Sequence, residues 1–214
     1  REGCFAEGCG FYKLFWLFFI GALLGDLVET VFCRYSMGRW MSRSSLVWGP
    51  FSIVWGLAIA AATMLLHRDN DKPIRNIFIL GTLLGGAYEY ICSVFTELVF
   101  GKVFWDYSKH PLNLGGRINL LFCLFWGAAA VVWIKFFYPK VSRIIEKIPQ
   151  RVGKTMTWGL VLFLSVNILV SMLALIRYDT RSSRKEAAYR WERVMDEHFD
   201  DIRMEEIYPN AIKR

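Results

Sequence analysis

The chain has 214 residues, of which 55% are hydrophobic and 16% aromatic, with a formal net charge of +7. A soluble domain of this length carries fewer apolar residues in shorter runs, so the composition excludes an ordinary soluble fold. The positive charge lies in the connections and the C-terminal stretch, which suits phospholipid headgroups and excludes nucleic acid as the expected partner.

Five apolar segments approach or reach the roughly 20 residues needed to cross a hydrocarbon core about 30 Å thick. They lie near 11–33, 46–66, 77–99, 119–138 and 156–176. Backbone groups in lipid find no water to pair with, so these segments are expected to be helices. The expectation is an all-α polytopic membrane protein of about five transmembrane helices in the cell membrane. A short N-terminal segment (1–10) precedes the membrane domain (11–176), and a charged tail (177–214) follows it. The chain opens on Arg1, so its natural start is expected upstream. The first apolar segment is too long for a signal peptide and carries Asp26 and Glu29.

Two stretches nearly repeat: Gly21-Ala-Leu-Leu-Gly25-Asp-Leu-Val-Glu29 and Gly81-Thr-Leu-Leu-Gly85-Gly-Ala-Tyr-Glu89. The following helices share Trp-Gly, at Trp55-Gly56 and Trp126-Gly127. A tandem repeat of helical hairpins is the simplest account. Residues at i, i+4 and i+8 form one stripe of a helix, so each pair of glycines lies in line with its glutamate. Gly21, Gly25, Gly81 and Gly85 are therefore expected to let helices approach closely. Glu29 and Glu89, with Asp26 beside the first, are expected to face protein interior.

The connection from Gly101 to Arg117 is the richest polar stretch. Trp105 and Tyr107 suit the headgroup layer. Pro111, Gly115 and Gly116 break helix, leaving Asp106, His110, Asn113 and Arg117 as candidates to line a mouth or pocket. Pro50 is read as beginning or kinking the second helix, and Asn167 as an interhelical hydrogen bond. In the tail, Ser183-Arg-Lys-Glu186 reads as a capping box ahead of an amphipathic helix carrying Ala187, Trp191, Val194, Met195 and Ile202. That helix would lie along the membrane or dock a soluble partner. Lys and Arg are nearly balanced across the two sides, and the long, charged, cysteine-free tail leans toward the cytoplasm.

A charge at the centre of a membrane helix costs roughly 2.5–3.5 kcal/mol on insertion scales, so the acids must be protonated, paired or hydrated. Arg34, Arg39, Arg43 and Arg117 are the cations placed to reach them. Glu29, Glu89, Arg117, Asp26, Asp106 and Asn113 are thus the candidate solute-binding or gating residues. The alternative is that the acids only fix helix packing. His67, His110 and His198 are scattered, no serine sits in a nucleophile elbow, and no phosphate-binding loop is present. No catalytic residue, metal or cofactor is expected. Cys33, Cys92 and Cys123 read as small apolar residues, whereas Cys4 and Cys9 could pair in an oxidising compartment.

Ser45-Leu-Val-Trp-Gly-Pro50, Trp105-Asp-Tyr-Ser108, Asn113-Leu-Gly-Gly-Arg117-Ile118 and Trp126-Gly127 together resemble the ABC-transporter type IV (CmpB) family, which includes transmembrane protein 229. The likeness runs from about Phe11 to Tyr138. It implies a multipass membrane protein with a permease-like role, and it carries no substrate or catalytic residue. A permease-like or solute-handling subunit is the leading expectation, with a separate nucleotide-binding ATPase as motor and a homodimer or larger complex around it. A membrane scaffold recruiting partners through its tail is the alternative, and a lipid-modifying enzyme the third.

Overall fold

A computed structural model describes residues 3–69 and 71–213, so Arg1 lies outside the described residues. The fold is an all-α helical bundle. The first hairpin comprises α1 (Phe11–Met37) and α2 (Ile53–Leu66). The second comprises α3 (Ile74–Phe100) and a helix that begins as α4 (Leu120–Val132) and ends as α5 (Tyr138–Glu146). Then come α6 (Gln150–Arg181) and two short tail helices, α7 (Arg190–His198) and α8 (Asp201–Ile207).

The hairpins are built alike. Both first helices stop at a glycine in the left-handed region, Gly38 and Gly101, where a side chain would be strained. Both second helices start under a polar cap. Ser52 accepts from the Trp55 backbone N–H, and Asn119 from that of Leu121. Within the hairpins the glycines are contact points. A Cβ on Gly21 would lie 2.8 Å from Ile59 and one on Gly25 2.3 Å from Trp55. The matching clashes for Gly81 and Gly85 are with Ala130 at 2.5 Å and Trp126 at 2.3 Å. Gly56 and Gly127 answer from the second helices, against the backbones of Phe18 and Phe78. The tandem repeat is therefore a repeat of packing, carried by small residues that let backbones approach.

Among the described residues four helical stretches are long and apolar enough to cross a membrane: α1, α3, Leu120–Glu146 and α6. The apolar segment near 46–66 is only partly helical. Its helix α2 has 14 residues, about 21 Å at 1.5 Å per residue. Residues 46–52 instead form a non-helical turn folded back into the bundle. Gly49 adopts φ +80°, Pro50 supplies no N–H, and Ser52 caps the helix only afterwards.

The fourth segment runs past residue 138 to Glu146 because a π turn, Trp133–Phe137, absorbs Pro139. Proline in a helix clashes with the carbonyl four residues back, and here the Tyr138 N–H reaches Trp133 instead. The last long helix is also longer than its apolar run, extending at both ends into charged residues.

Apolar side chains cover the outside: Leu27 and Val31 on α1, Leu83 and Leu98 on α3, Phe125 on α4, Leu162 and Leu169 on α6. Polar ones are inside, with Thr63, Thr157 and Asn167 fully buried. A water-soluble protein of this size rarely exposes so much contiguous apolar surface, whereas a lipid-facing bundle must.

The tail folds back onto its own protein. The expected capping box at Ser183 is not formed, since residues 183–188 are not helical, and Glu192 instead accepts from the backbone of Ala188 and Tyr189. A nine-residue and a seven-residue helix replace the single expected one. Met195, Phe199, Met204 and Tyr208 pack with Val47, Phe100, Ala174 and Leu175 into one buried cluster. Arg177, 0% exposed, pairs with both oxygens of Asp196. The strand Ile212–Lys213 (β4) pairs antiparallel with Lys102–Val103 (β1), and Asn113–Leu114 (β2) pairs with Ile118–Asn119 (β3). Tail and interhelical connections 38–52 and 101–119 thus share one end of the bundle. The N-terminal segment lies at the other end, where Lys13 is bound by Ser142 and Glu146. Cys4 and Cys9, which could pair in an oxidising compartment, are free thiols here.

Candidate functional site

The two repeats meet at a pair of indoles. The rings of Trp55 and Trp126 lie with centroids 5.2 Å apart. Trp55 donates its Nε1–H to Glu29 at 2.8 Å, and Trp126 donates its own to Glu89 at 3.2 Å. The geometry follows from the sequence: the glycine one turn before each glutamate leaves the space the indole fills. Each carboxylate is therefore held by the tryptophan of its own hairpin, and the tryptophans join the hairpins.

The second oxygen of each acid is held from the connection that follows its helix. Arg43 Nε donates to Glu29 at 3.0 Å. The Tyr107 hydroxyl donates to Glu89 at 2.6 Å. Burial, followed by the hydrogen bond to Glu89, pushes the Tyr107 phenol above its ordinary range, so it remains a donor through the physiological span. Glu89 is buried, with 7% exposed, whereas the Glu29 side chain keeps 29% exposure. The two stations are alike in acid and indole and different in their loop partner: a charged guanidinium at one, a neutral phenol at the other.

Asp26 is 3% exposed, and its Oδ1 is buried with no hydrogen-bond partner among the described residues. Arg117 does not join the acid pair. Its guanidinium binds Ser93 and Glu97 one and two turns along α3, and its carbonyl accepts from Trp105 Nε1. Asp106 and Asn113 build the loop itself. Asp106 accepts from the backbone and hydroxyl of Ser108, and Asn113 bridges His110 and Gly116. Tyr107, expected among the headgroups, turns inward instead and stacks on Phe122 at 4.8 Å.

The stretch Ser45–Pro50, read in the sequence as a family motif at the start of the second helix, belongs to the non-helical turn 44–52. Val47 N–H donates to Ser171 at 2.9 Å, and Asn167 both accepts from Trp48 N–H at 3.3 Å and donates to Trp48 O at 2.6 Å. Asn167 lies midway along α6, so this irregular backbone sits inside the bundle. Non-helical backbone at such depth is tolerated only where protein satisfies it. Asn167 is thus a bond from helix to loop, not from helix to helix. The signal was the pairing of Asn167 with Ser171, one turn apart in an otherwise apolar run.

Two surface hollows lie elsewhere. One of about 260 Å³ lies at the N-terminal end beside Lys13 and Gln150, and one of about 230 Å³ lies between α6 and α7 beside Trp48 and Phe199. Neither borders Glu29 or Glu89. Among the described residues no group of three His, Cys, Asp or Glu could hold a metal ion.

Compared with known proteins, the chain matches no curated protein and no solved structure. Residues 16–172 match a family described as putative ABC-transporter type IV. The matched stretch takes in both hairpins, the turn 44–52, the paired carboxylates and the part of α6 that holds the turn. It leaves out all of the tail. Covering well over half its length, that match makes the chain a member of the ABC-transporter type IV family.

Proposed function

We propose that the chain is a permease-like, solute-handling subunit of a membrane transporter, with Glu29 and Glu89 as its polar centre. One observation carries this reading: two carboxylates from equivalent positions of the repeat meet across one indole pair, each clamped by a residue of the connection that follows its helix. Helix packing alone has no need of charge here, because close contacts at Gly21, Gly56, Gly81 and Gly127 are made without any charged side chain. Carboxylates in lipid are costly, and they suit a cationic solute. Arg43 and Tyr107 are placed as removable caps, since neither belongs to a helix.

A scaffold role is favoured by a different observation. Glu29 and Glu89 each have both oxygens engaged, which is the pattern of a structural polar lock. The tail supplies such a protein's docking surface through the outward faces of α7 and α8.

Purification of the intact chain from native membranes in mild detergent, with mass spectrometry of retained proteins and small molecules, separates the two. The solute-handling reading expects a stoichiometric nucleotide-binding ATPase, or a cationic solute that disappears in the Glu29→Gln, Glu89→Gln double variant. Recovery of the same partners and no solute difference from a folded double variant would leave the scaffold.

A further inference from the structure

Asp26 stands apart from the acid pair it adjoins. Glu29 is one turn along α1 and is engaged by Trp55 and Arg43, whereas Asp26 Oδ1 is buried without a partner among the described residues. The repeat shows that packing does not ask for this acid. Asp26 follows Gly25, and the residue following Gly85 in the second hairpin is Gly86, which faces Cys123. The same architecture is thus built once with a carboxylate and once with no side chain at all.

A buried carboxylate oxygen lacking a donor must be neutralised, hydrated or bound to a cation. Asp26 is 3% exposed and lines neither of the two surface hollows described above. A metal ion would need more ligands than Asp26 and Glu29 supply, and among the described residues no group of three candidate ligands exists. A proton meets the requirement by itself. The charged groups facing Asp26 are Glu29 on its own helix and Arg43 from the following connection. Helix α2 contains no charged residue, and neither does α6 between Thr155 and Ile176.

We infer that Asp26 is a proton-binding site of the membrane domain, next to the Glu29–Arg43 pair. An O–H bond forms between the Asp26 carboxylate and a proton delivered by hydronium, which leaves as water, and the side chain passes from one negative charge to none. Arg43, 23% exposed, belongs to the connection 38–52 at the loop-bearing end of the bundle. Coupling of solute movement to this proton rests on the solute-handling proposal above; the site itself does not.

Infrared difference spectroscopy of the full chain in nanodiscs, stepped in pH, reads the protonated acid directly. The expected result is a carboxylic-acid carbonyl band that shifts in heavy water, falls as pH rises, persists in Glu29→Gln and is missing from Asp26→Asn. Asparagine keeps the shape of the side chain, and circular dichroism confirms that the variant is folded. A spectrum unchanged by Asp26→Asn, or a band lost only in Glu29→Gln, overturns the assignment. Because the band needs no solute, its presence in a protein that moves none would refute the transport reading and leave the proton site standing.

Discussion

Trp55 and Trp126 are 26 and 37 residues beyond the glutamates they bind, yet their rings lie 5.2 Å apart and make one centre of two hairpins. Of the eleven extra residues in the second hairpin, three lengthen α3 beyond Glu89, four lengthen the connection 101–119, which carries Tyr107 to Glu89, and four precede Trp126 within α4. The glycine-to-glutamate spacing is the same in both first helices, and Gly25 and Gly85 meet Trp55 and Trp126 alike, so the Gly–Trp–Glu geometry is kept in both copies.

The first prediction concerns that centre. Trp55→Phe and Trp126→Phe each remove one donor from a buried or half-buried carboxylate, and hydrogen bonds to charged groups are worth about 1.5–3 kcal/mol. Each is expected to lower the unfolding midpoint in detergent, and the double variant to lose less than the sum. Strict additivity would mean that the indoles are not coupled.

Glycines one turn before the glutamates offer a second check. Gly25→Ala and Gly85→Ala place a methyl group 2.3 Å from a tryptophan Cβ, overpacking of the kind that costs about 1–3 kcal/mol. At Gly159 nothing lies within 4 Å of a built Cβ, so Gly159→Ala is expected to be neutral. Thermal unfolding of the three variants side by side reads the contrast.

The turn 44–52 depends on one side chain. Asn167→Leu leaves the N–H and carbonyl of Trp48 without their partner, at about 1–3 kcal/mol for each unsatisfied group. Hydrogen exchange should accelerate at Val47 and Trp48 while the middle of α6 stays protected. Unchanged exchange in the turn would show that its backbone is held elsewhere.

Tail docking is expected to be acid-sensitive. Hydrogen bonding from Arg177, with further help from Arg181, holds the Asp196 carboxyl below the usual carboxylate range despite opposing burial. A depressed carboxylate stabilises the folded form above the unfolded value, about 3.9, and loses that contribution as pH falls through the folded value. Limited proteolysis should therefore cut at residues 183–188 with unchanged frequency down to about pH 4 and faster below it. Asp196→Asn should show the fast cleavage at neutral pH.

Much of the hairpin architecture was legible because it depends on short-range spacing: Gly25 and Glu29 lie one turn apart, and so do Gly85 and Glu89. The glutamate partners were legible only in part. Arg43 and Arg117 look equivalent in sequence, but Arg117 lies in the β2–β3 turn and is brought against Glu97, two turns beyond Glu89. Tyr107 looked like a headgroup anchor because an aromatic with a polar tip serves either purpose, and only the loop's path decides. The turn 44–52 was hidden by its own apolarity. Leu46, Val47 and Phe51 are buried in protein, and hydropathy does not distinguish that from burial in lipid. The tail's return was equally hidden, since Met195, Phe199 and Met204 form one face that suits a membrane or a partner as well as the chain's own loops.

Flux through the purified chain in proteoliposomes tests the acidic centre most directly. A pH-sensitive dye and a panel of small cationic solutes are followed for the wild type and for the folded Glu29→Gln, Glu89→Gln double variant. The account predicts uptake by the wild type that the double variant loses while its unfolding midpoint shows it still assembled. Equal uptake by both would contradict it, and so would none by either when the co-purifying partners are present.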